Sequence, residues 1–205
     1  MSNIKQHDSV RTIQDALARI SHPQPVHLDP SGNEARRQML IEVLPPVLVI
    51  HLKRSLYDPA AGDVVKIEKP VQFTPDLEIP PGTTSLFLSH HGQLILTIHR
   101  GFVGLDIMAP IAQKSTGAQP GSYTLYGVLY HHGVSASGGR YTDDVLHPNG
   151  NGGDGGGWLR IDDKAVSAVR HEDVFGGHDS GKADDRCPYL LFYRRTTSTG
   201  AFLMI

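Results

Sequence analysis

The sequence predicts an α+β chain in which antiparallel strands dominate and helices are few and short. Three observations lead there. Gly and Pro are both abundant, 22 and 14 of 205 residues, which favours strands and loops over a helical bundle. Runs of β-branched, aromatic and other apolar residues of strand length recur between turn formers. A clear helical repeat occurs near the N-terminus and is short.

In that repeat Val10, Ile13, Leu17 and Ile20 recur at three- to four-residue spacing. Asp8 or Ser9 is the expected N-cap, and the turn formers of SHPQP end the helix. A polar connection passes through Asp29-Pro30-Ser31-Gly32, followed by the apolar segment Met39 to Val43 and by Pro45-Pro46. The run Val47-Leu48-Val49-Ile50-His51-Leu52 reads as a central strand, buried on at least one face. Residues 57–63, YDPAAGD, form a turn. Val64 to Ile67 and Val71 to Phe73 read as short strands of a meander, interrupted by Pro70.

Residues 84–107 are apolar and show neither period cleanly. They read either as a strand pair turning at His91-Gly92 or as a segment foreign to the fold, such as an insertion or a translated intron. Gln113 to Ser122 resembles a linker. Tyr123 to Tyr130 is a strong strand running into His131-His132-Gly133 and the loop VSASGG, with Arg140 to Leu146 as its antiparallel partner. The glycine-rich stretch Asn149 to Gly157 lacks the Lys-Ser/Thr of a phosphate loop and reads as a flexible hairpin connection. Trp158 to Ile161 is a strand before Asp162-Asp163-Lys164. Val166 and Val169 lead into a polar, mobile stretch at 171–186, Tyr189 to Tyr193 closes the sheet, and TTSTGAFLMI is an unassigned tail.

The formal net charge is −2 with both signs interspersed, so no basic stripe points to nucleic acid. The single cysteine, Cys187, rules out an internal disulfide and any Cys₄ or Cys₃His zinc site within the chain. It suits a reducing compartment. The opening MSNIKQHDSV has no apolar signal-peptide core. The stretch Ser85 to Ile107 carries His90, His91, Gln93, His99 and Arg100, too polar a set for a membrane span. A soluble, intracellular protein without membrane association is expected.

Four blocks carry a resemblance. LPPVLVIHLKR (44–54), YTLYGVLYHHGVSASGGRY (123–141), WLRIDDKAV (158–166) and YLLFYRR (189–195) occur in one order and spacing. Over 40–81 and 121–195 the chain is identified as a member of the ubiquitin-specific proteases, matching the C-terminal half of their catalytic domain. The resemblance implies a single partial domain over 1–205 of papain-like architecture, with 84–107 as an atypical insert and 196–205 as a tail. It also implies thiol-dependent cleavage after the C-terminal glycine of ubiquitin. In such a site a thiolate attacks the carbonyl, an imidazole moves the proton, and an Asp or Asn orients the imidazole.

Carried over by position, the resemblance puts Asp162 at the third member of the triad and Asp163 beside it in a supporting role. Arg140 falls at the catalytic histidine. His131, Gly138 and Gly139, with the rest of 133–139, fall where the family lines the channel for ubiquitin's Gly-Gly tail; Tyr141 belongs to the same substrate-binding group. Trp158 and Tyr141 also read as packing residues. The family's cysteine box is expected far upstream of residue 1, and Ser55 follows HLKR where an aromatic is expected.

Arg140 stays protonated up to a pKa above roughly 12, so it is no general base near neutrality; paired with Asp162 it forms a structural ion pair. His131, His132 and His147 read as surface or channel-lining groups rather than substitute bases. Cys187, between Arg186 and Pro188 at the start of a strand, reads as inert. Asp162-Asp163-Lys164 also fits an ordinary turn. The adjacent pairs His90-His91 and His131-His132 do not suit one ion, so no metal and no cofactor are expected. The expectation is a family domain inactive as written, or alternatively a non-catalytic ubiquitin-binding or scaffold module. Its partners would be ubiquitin or ubiquitinated proteins, with self-association through an exposed sheet face, in the cytoplasm or nucleus.

Overall fold

The structure is a computed structural model and describes residues 10–27, 34–37, 44–66, 70–79, 93–99, 102–108, 121–133, 135, 138–148, 157–175 and 186–196. Helix α1 spans Ile13–Ser21 and is set by its first turn. The Thr12 hydroxyl accepts from the Asp15 backbone N–H at 3.0 Å. The Asp15 carboxylate accepts in return from the backbone N–H groups of Thr12 and Arg11, at 2.9 and 3.0 Å. This reciprocal capping box satisfies donors that no helical carbonyl can reach. Thr12 is therefore the N-cap; the expected caps Asp8 and Ser9 lie outside the described residues. The helix stops where His22 turns extended ahead of Pro23, as the ring of a following proline disfavours helical backbone. Val10, Ile13, Ala16 and Leu17 are buried on one side.

The strands follow in chain order. β1 (Gln24–His27) and β2 (Glu34–Arg37) form an antiparallel pair of their own. β3 (Val47–Leu52) is the expected buried strand. β4 (Ser55–Asp58) and β5 (Asp63–Lys66) make a separate hairpin across the expected turn. β6 is Asp76–Ile79, β7 Gln93–His99 and β8 Phe102–Met108. Then come β9 (Gly121–His132), β10 (Arg140–His147), β11 (Gly157–Asp162) and β12 (Ala165–Val169). Helix α2 (His171–Phe175) precedes the last strand, β13 (Cys187–Thr196).

The main sheet runs β12-β11-β10-β9-β13-β3-β7-β8, with β6 pairing β9 off that path. Every pairing is antiparallel except β3 with β7. β9 is the spine of this arrangement. β13 lies along one edge; β6 covers the first residues of the other edge and β10 the last. A twelve-residue strand used on both edges must be apolar, and Tyr123, Leu125, Val128 and Tyr130 are all buried. Its tyrosines keep their hydroxyls satisfied: Tyr123 donates to Pro45 O at 2.8 Å and Tyr130 to Val174 O at 3.1 Å. Tyr193 does the same to Thr74 O at 2.9 Å. Burial pushes the Tyr123 and Tyr193 phenols well above their ordinary pKa.

Three sequence expectations are corrected, and one lies outside the described residues. Val71 to Phe73 is not a strand; Gln72 bridges Thr12 instead, giving its N–H to Arg11 O and accepting from Ile13 N–H. Its backbone bonds seat α1, while the strand that follows is β6. Within 84–107, residues 93–99 pair antiparallel with the strand that starts at Phe102, while the expected turn at His91-Gly92 lies outside the described residues. Of the polar stretch expected at 171–186, residues 171–175 form α2, and 176–185 lie outside the described residues. There Val174 is buried and Phe175 meets Trp158 edge-on at 5.7 Å and Phe73 at 5.8 Å. Finally, Thr196 belongs to β13 rather than to the tail.

Candidate functional site

The β9–β10 hairpin carries most of the residues singled out in the sequence. His131 and His132 end β9, and Arg140 and Tyr141 begin β10 in register with them. Both histidines are 8% exposed, so neither is a surface loop residue. They are buried because β9 continues two residues past Tyr130. His132 Nε2 shares a 2.8 Å hydrogen bond with the buried Thr142 hydroxyl.

Two glycines let the chain close over these rings. Gly133 and Gly139 have φ of 115° and 139°, outside the range side chains tolerate. A Cβ on Gly139 would lie 2.0 Å from His132 O and 2.6 Å from His131 Nε2. No rotamer relieves a clash with a backbone carbonyl, so position 139 is restricted to glycine by space and by φ. Beside it, a Cβ on Gly138 would meet nothing within 4 Å, so this residue faces open space. The result is a strip of bare, exposed backbone with the His131 ring beneath it.

Arg140 and Asp162 form an ion pair through Nη1 and Oδ2, with side chains 62% and 35% exposed. Asp162 closes β11 opposite Ala165, and Asp163 begins the turn with φ 52°. That left-handed conformation is one Asp tolerates better than most residues. The turn reading of Asp162-Asp163-Lys164 and the proximity of Asp162 to position 140 therefore hold together. An exposed pair of this kind contributes little to stability.

An aromatic row borders the strip. The Tyr141 ring stands 5.1 Å from that of His131 and 5.8 Å from that of Tyr189, and Tyr189 meets His51 edge-on at 4.7 Å. Tyr141 is 51% exposed, so it lines a surface rather than filling the core; Trp158, at 6%, does pack inside. Cys187 is the register partner of His131 on β13 and is buried. Nearby, the buried Arg54 donates from Nε to Pro188 O at 3.1 Å. Burial lowers the Arg54 pKa, partly offset by the Cys187 thiol beside it. Lys66 of β5 donates to Gly133 O, tying the β4–β5 hairpin to the base of the loop.

The sequence reading missed a second cluster. Asp144 is fully buried and takes a bidentate grip from Arg160, Nε to Oδ1 and Nη2 to Oδ2, each at 2.7 Å. Arg186 approaches Oδ2 at 3.4 Å, donates to Asp173 O at 3.0 Å, and lies 4.6 Å above the Tyr130 ring. Burial raises the Asp144 pKa, opposed by the Arg160 hydrogen bonds. This knot joins β10, β11, α2 and the start of β13, further along the two strands that carry the Arg140–Asp162 pair. No stretch of sequence signals it: Asp144 and Arg160, of opposite charge, face each other only through the β10–β11 register.

Chemically, the site offers backbone, aromatic faces and an exposed guanidinium. It does not pair a thiol with an imidazole at position 140. Among the described residues no three His, Cys, Asp or Glu side chains gather as a metal site, and no helix is long and apolar enough to cross a membrane.

Comparison with solved structures gives the class. The SAGA Ubp8/Sgf11/Sus1/Sgf73 DUB module bound to ubiquitin aldehyde matches with a TM-score of 0.61 at 20% identity, covering 93% of this chain and 34% of that one. A SAGA DUB module bound to monoubiquitin matches at a TM-score of 0.59 and 19% identity, over 93% of this chain and 34% of the other. The architecture is thus that of the ubiquitin-specific protease fold.

Sequence comparison gives the family. The profile of the ubiquitin carboxyl-terminal hydrolases matches residues 2–193. Ubiquitin carboxyl-terminal hydrolase 10 of Rattus norvegicus is 33% identical over 194 residues, covering 93% of this chain and 20% of its own length. The probable ubiquitin carboxyl-terminal hydrolase 3 of Schizosaccharomyces pombe is 34% identical over 200 residues, 93% of this chain and 33% of its own. The chain belongs to the ubiquitin carboxyl-terminal hydrolase family. It spans a fifth to a third of the length of these relatives.

Proposed function

We propose that this chain is the histidine-box part of a ubiquitin-specific protease catalytic domain that binds ubiquitin but does not hydrolyse its linkage through its own residues. The family's activity is thiol-dependent removal of ubiquitin from proteins. Arg140 carries the reading. It stands where the resemblance places the catalytic imidazole, and it is ion-paired with Asp162, the residue at the orienting position. A guanidinium does not give up a proton near neutral pH, and nucleophile, base and orienter lose most of their effect together when one is removed. The sole cysteine, Cys187, is buried within the sheet, which supports an inert role. Binding is supported by the bare backbone of Gly138 and Gly139 and by the exposed Tyr141, which suit an extended glycine-rich tail.

The retained hairpin and Asp162 favour a second reading, a deubiquitinase whose nucleophile comes from outside these residues. It would need Arg140→His as well. Partners on either reading are ubiquitin or ubiquitinated proteins, in the cytoplasm or nucleus, where a lone thiol stays reduced. Self-association belongs to the proposal too: Ile161 and Val166 are exposed partners on β11 and β12, and a purely monomeric species at all concentrations would remove it.

The test pairs turnover with binding. The pure chain is incubated with a fluorogenic amide of ubiquitin's C-terminus and titrated separately with ubiquitin. Saturable binding without turnover is expected. Turnover abolished by Cys187→Ser would overturn inactivity, and absence of binding would overturn the ubiquitin-binding reading.

A further inference from the structure

Arg140 is more than a lost base; its placement gives the strip a charge that an imidazole would not hold at neutral pH. The guanidinium is 62% exposed and follows directly on the bare backbone of Gly138 and Gly139. Tyr141, half exposed, stands next to it against His131 and Tyr189. An extended chain laid along the glycines would bring its end to the Arg140–Asp162 pair. A guanidinium presents five donors in a planar fork matched to a carboxylate. The Arg140–Asp162 pair is exposed and so cheap to rearrange, which lets the fork turn to a second carboxylate.

We infer that Arg140 recognises a free C-terminal carboxylate, so that this chain prefers ubiquitin with an unblocked terminus over ubiquitin whose carboxyl is tied up in an amide. The inference rests on the ubiquitin-binding reading above and specifies the form bound. An amide carbonyl accepts hydrogen bonds but bears no charge; a carboxylate accepts two parallel, charge-assisted ones.

The test compares two probes that differ by one charge: ubiquitin with its native C-terminal carboxylate and the same protein as its C-terminal carboxamide. Both are titrated against the wild-type chain and against Arg140→Gln and Arg140→Lys, with circular dichroism confirming that each variant is folded. The carboxamide is expected to bind about tenfold more weakly to the wild-type chain, as loss of a charge-assisted pair implies. Arg140→Gln should erase that difference, and Arg140→Lys, which keeps the charge but not the fork, should retain part of it. Equal affinity of the two probes for the wild type, or a difference that survives in Arg140→Gln, overturns the inference while leaving ubiquitin binding intact. Failure of both probes to bind overturns the ubiquitin reading itself.

Discussion

Substituting Asp144 by alanine should loosen the strands behind the site far more than any change at the exposed pair. Asp144 is fully buried, and its carboxylate is held by Arg160 at 2.7 Å through both oxygens, with Arg186 at 3.4 Å. Truncation leaves two guanidiniums without the carboxylate that they share. Breaking a buried pair from one side costs about 3–5 kcal/mol. The Arg160 side chain is 26% exposed and regains some hydration, so the low end, about 3 kcal/mol, is expected. Asp144→Asn keeps an acceptor for Arg160 and should cost about half as much, near 1.5 kcal/mol. For a domain of this size 1 kcal/mol moves Tm by about 2–4 °C, so alanine should lower it by roughly 9 °C. Trp158, the only tryptophan, is buried two residues from Arg160 against Phe175. Its fluorescence during a urea or thermal melt therefore reports on this region. A loss below about 1 kcal/mol for Asp144→Ala would refute the claim that the cluster anchors these strands.

Three further outcomes test other links. Gly139→Ala should distort the hairpin and lower ubiquitin affinity by at least tenfold, because its methyl would meet His132 O; unchanged affinity in a titration would show the strip is not the binding surface. Thr12→Ala should cost about 1 kcal/mol in a urea melt through loss of the cap. The same cap carries a pH signature. The Arg11 backbone N–H, above all, holds the Asp15 pKa below its ordinary value. Its stabilisation is thus present above the unfolded pKa and is lost as pH falls through the folded one. Asp15→Asn should flatten the acid limb of stability, measured by melts across acidic pH.

How much of this was readable in advance depended on how local each signal was. β3, β9 and β13 announce themselves because their apolar residues are strand-length runs between turns, and β10 follows as the antiparallel partner of β9. β6 was overlooked although its Leu77 and Ile79 point inward between the exposed Asp76 and Glu78; four residues with two charges make a weak pattern. β12 has no alternation to read, since nearly all of it is exposed. The helix start was misplaced because Asp8 and Ser9 are good caps by type, whereas only Thr12 has an acid three residues on. At the site, the family blocks led to Arg140 and Asp162 together. The burial of His131 and His132 depended on how far β9 runs, and the Asp144 cluster on the register of β10 with β11. Neither is a property of any single stretch of sequence.

The parallel partnership of β3 and β7 bears on how the chain avoids sticking to itself. With β13 on one side, β3 offers its other edge, the backbone of Val-Leu-Val-Ile-His-Leu. An uncovered strand of that composition, without charge or proline, is a template for unregulated β-pairing. β7 and β8 occupy that edge and move the sheet's boundary to Phe102–Met108, a strand that contains Asp106 and Gly104. A charge and a glycine in a boundary strand discourage further addition. Whatever the origin of residues 84–107, removing β7 and β8 would uncover the apolar edge of β3, which makes the segment a guard as well as an appendage.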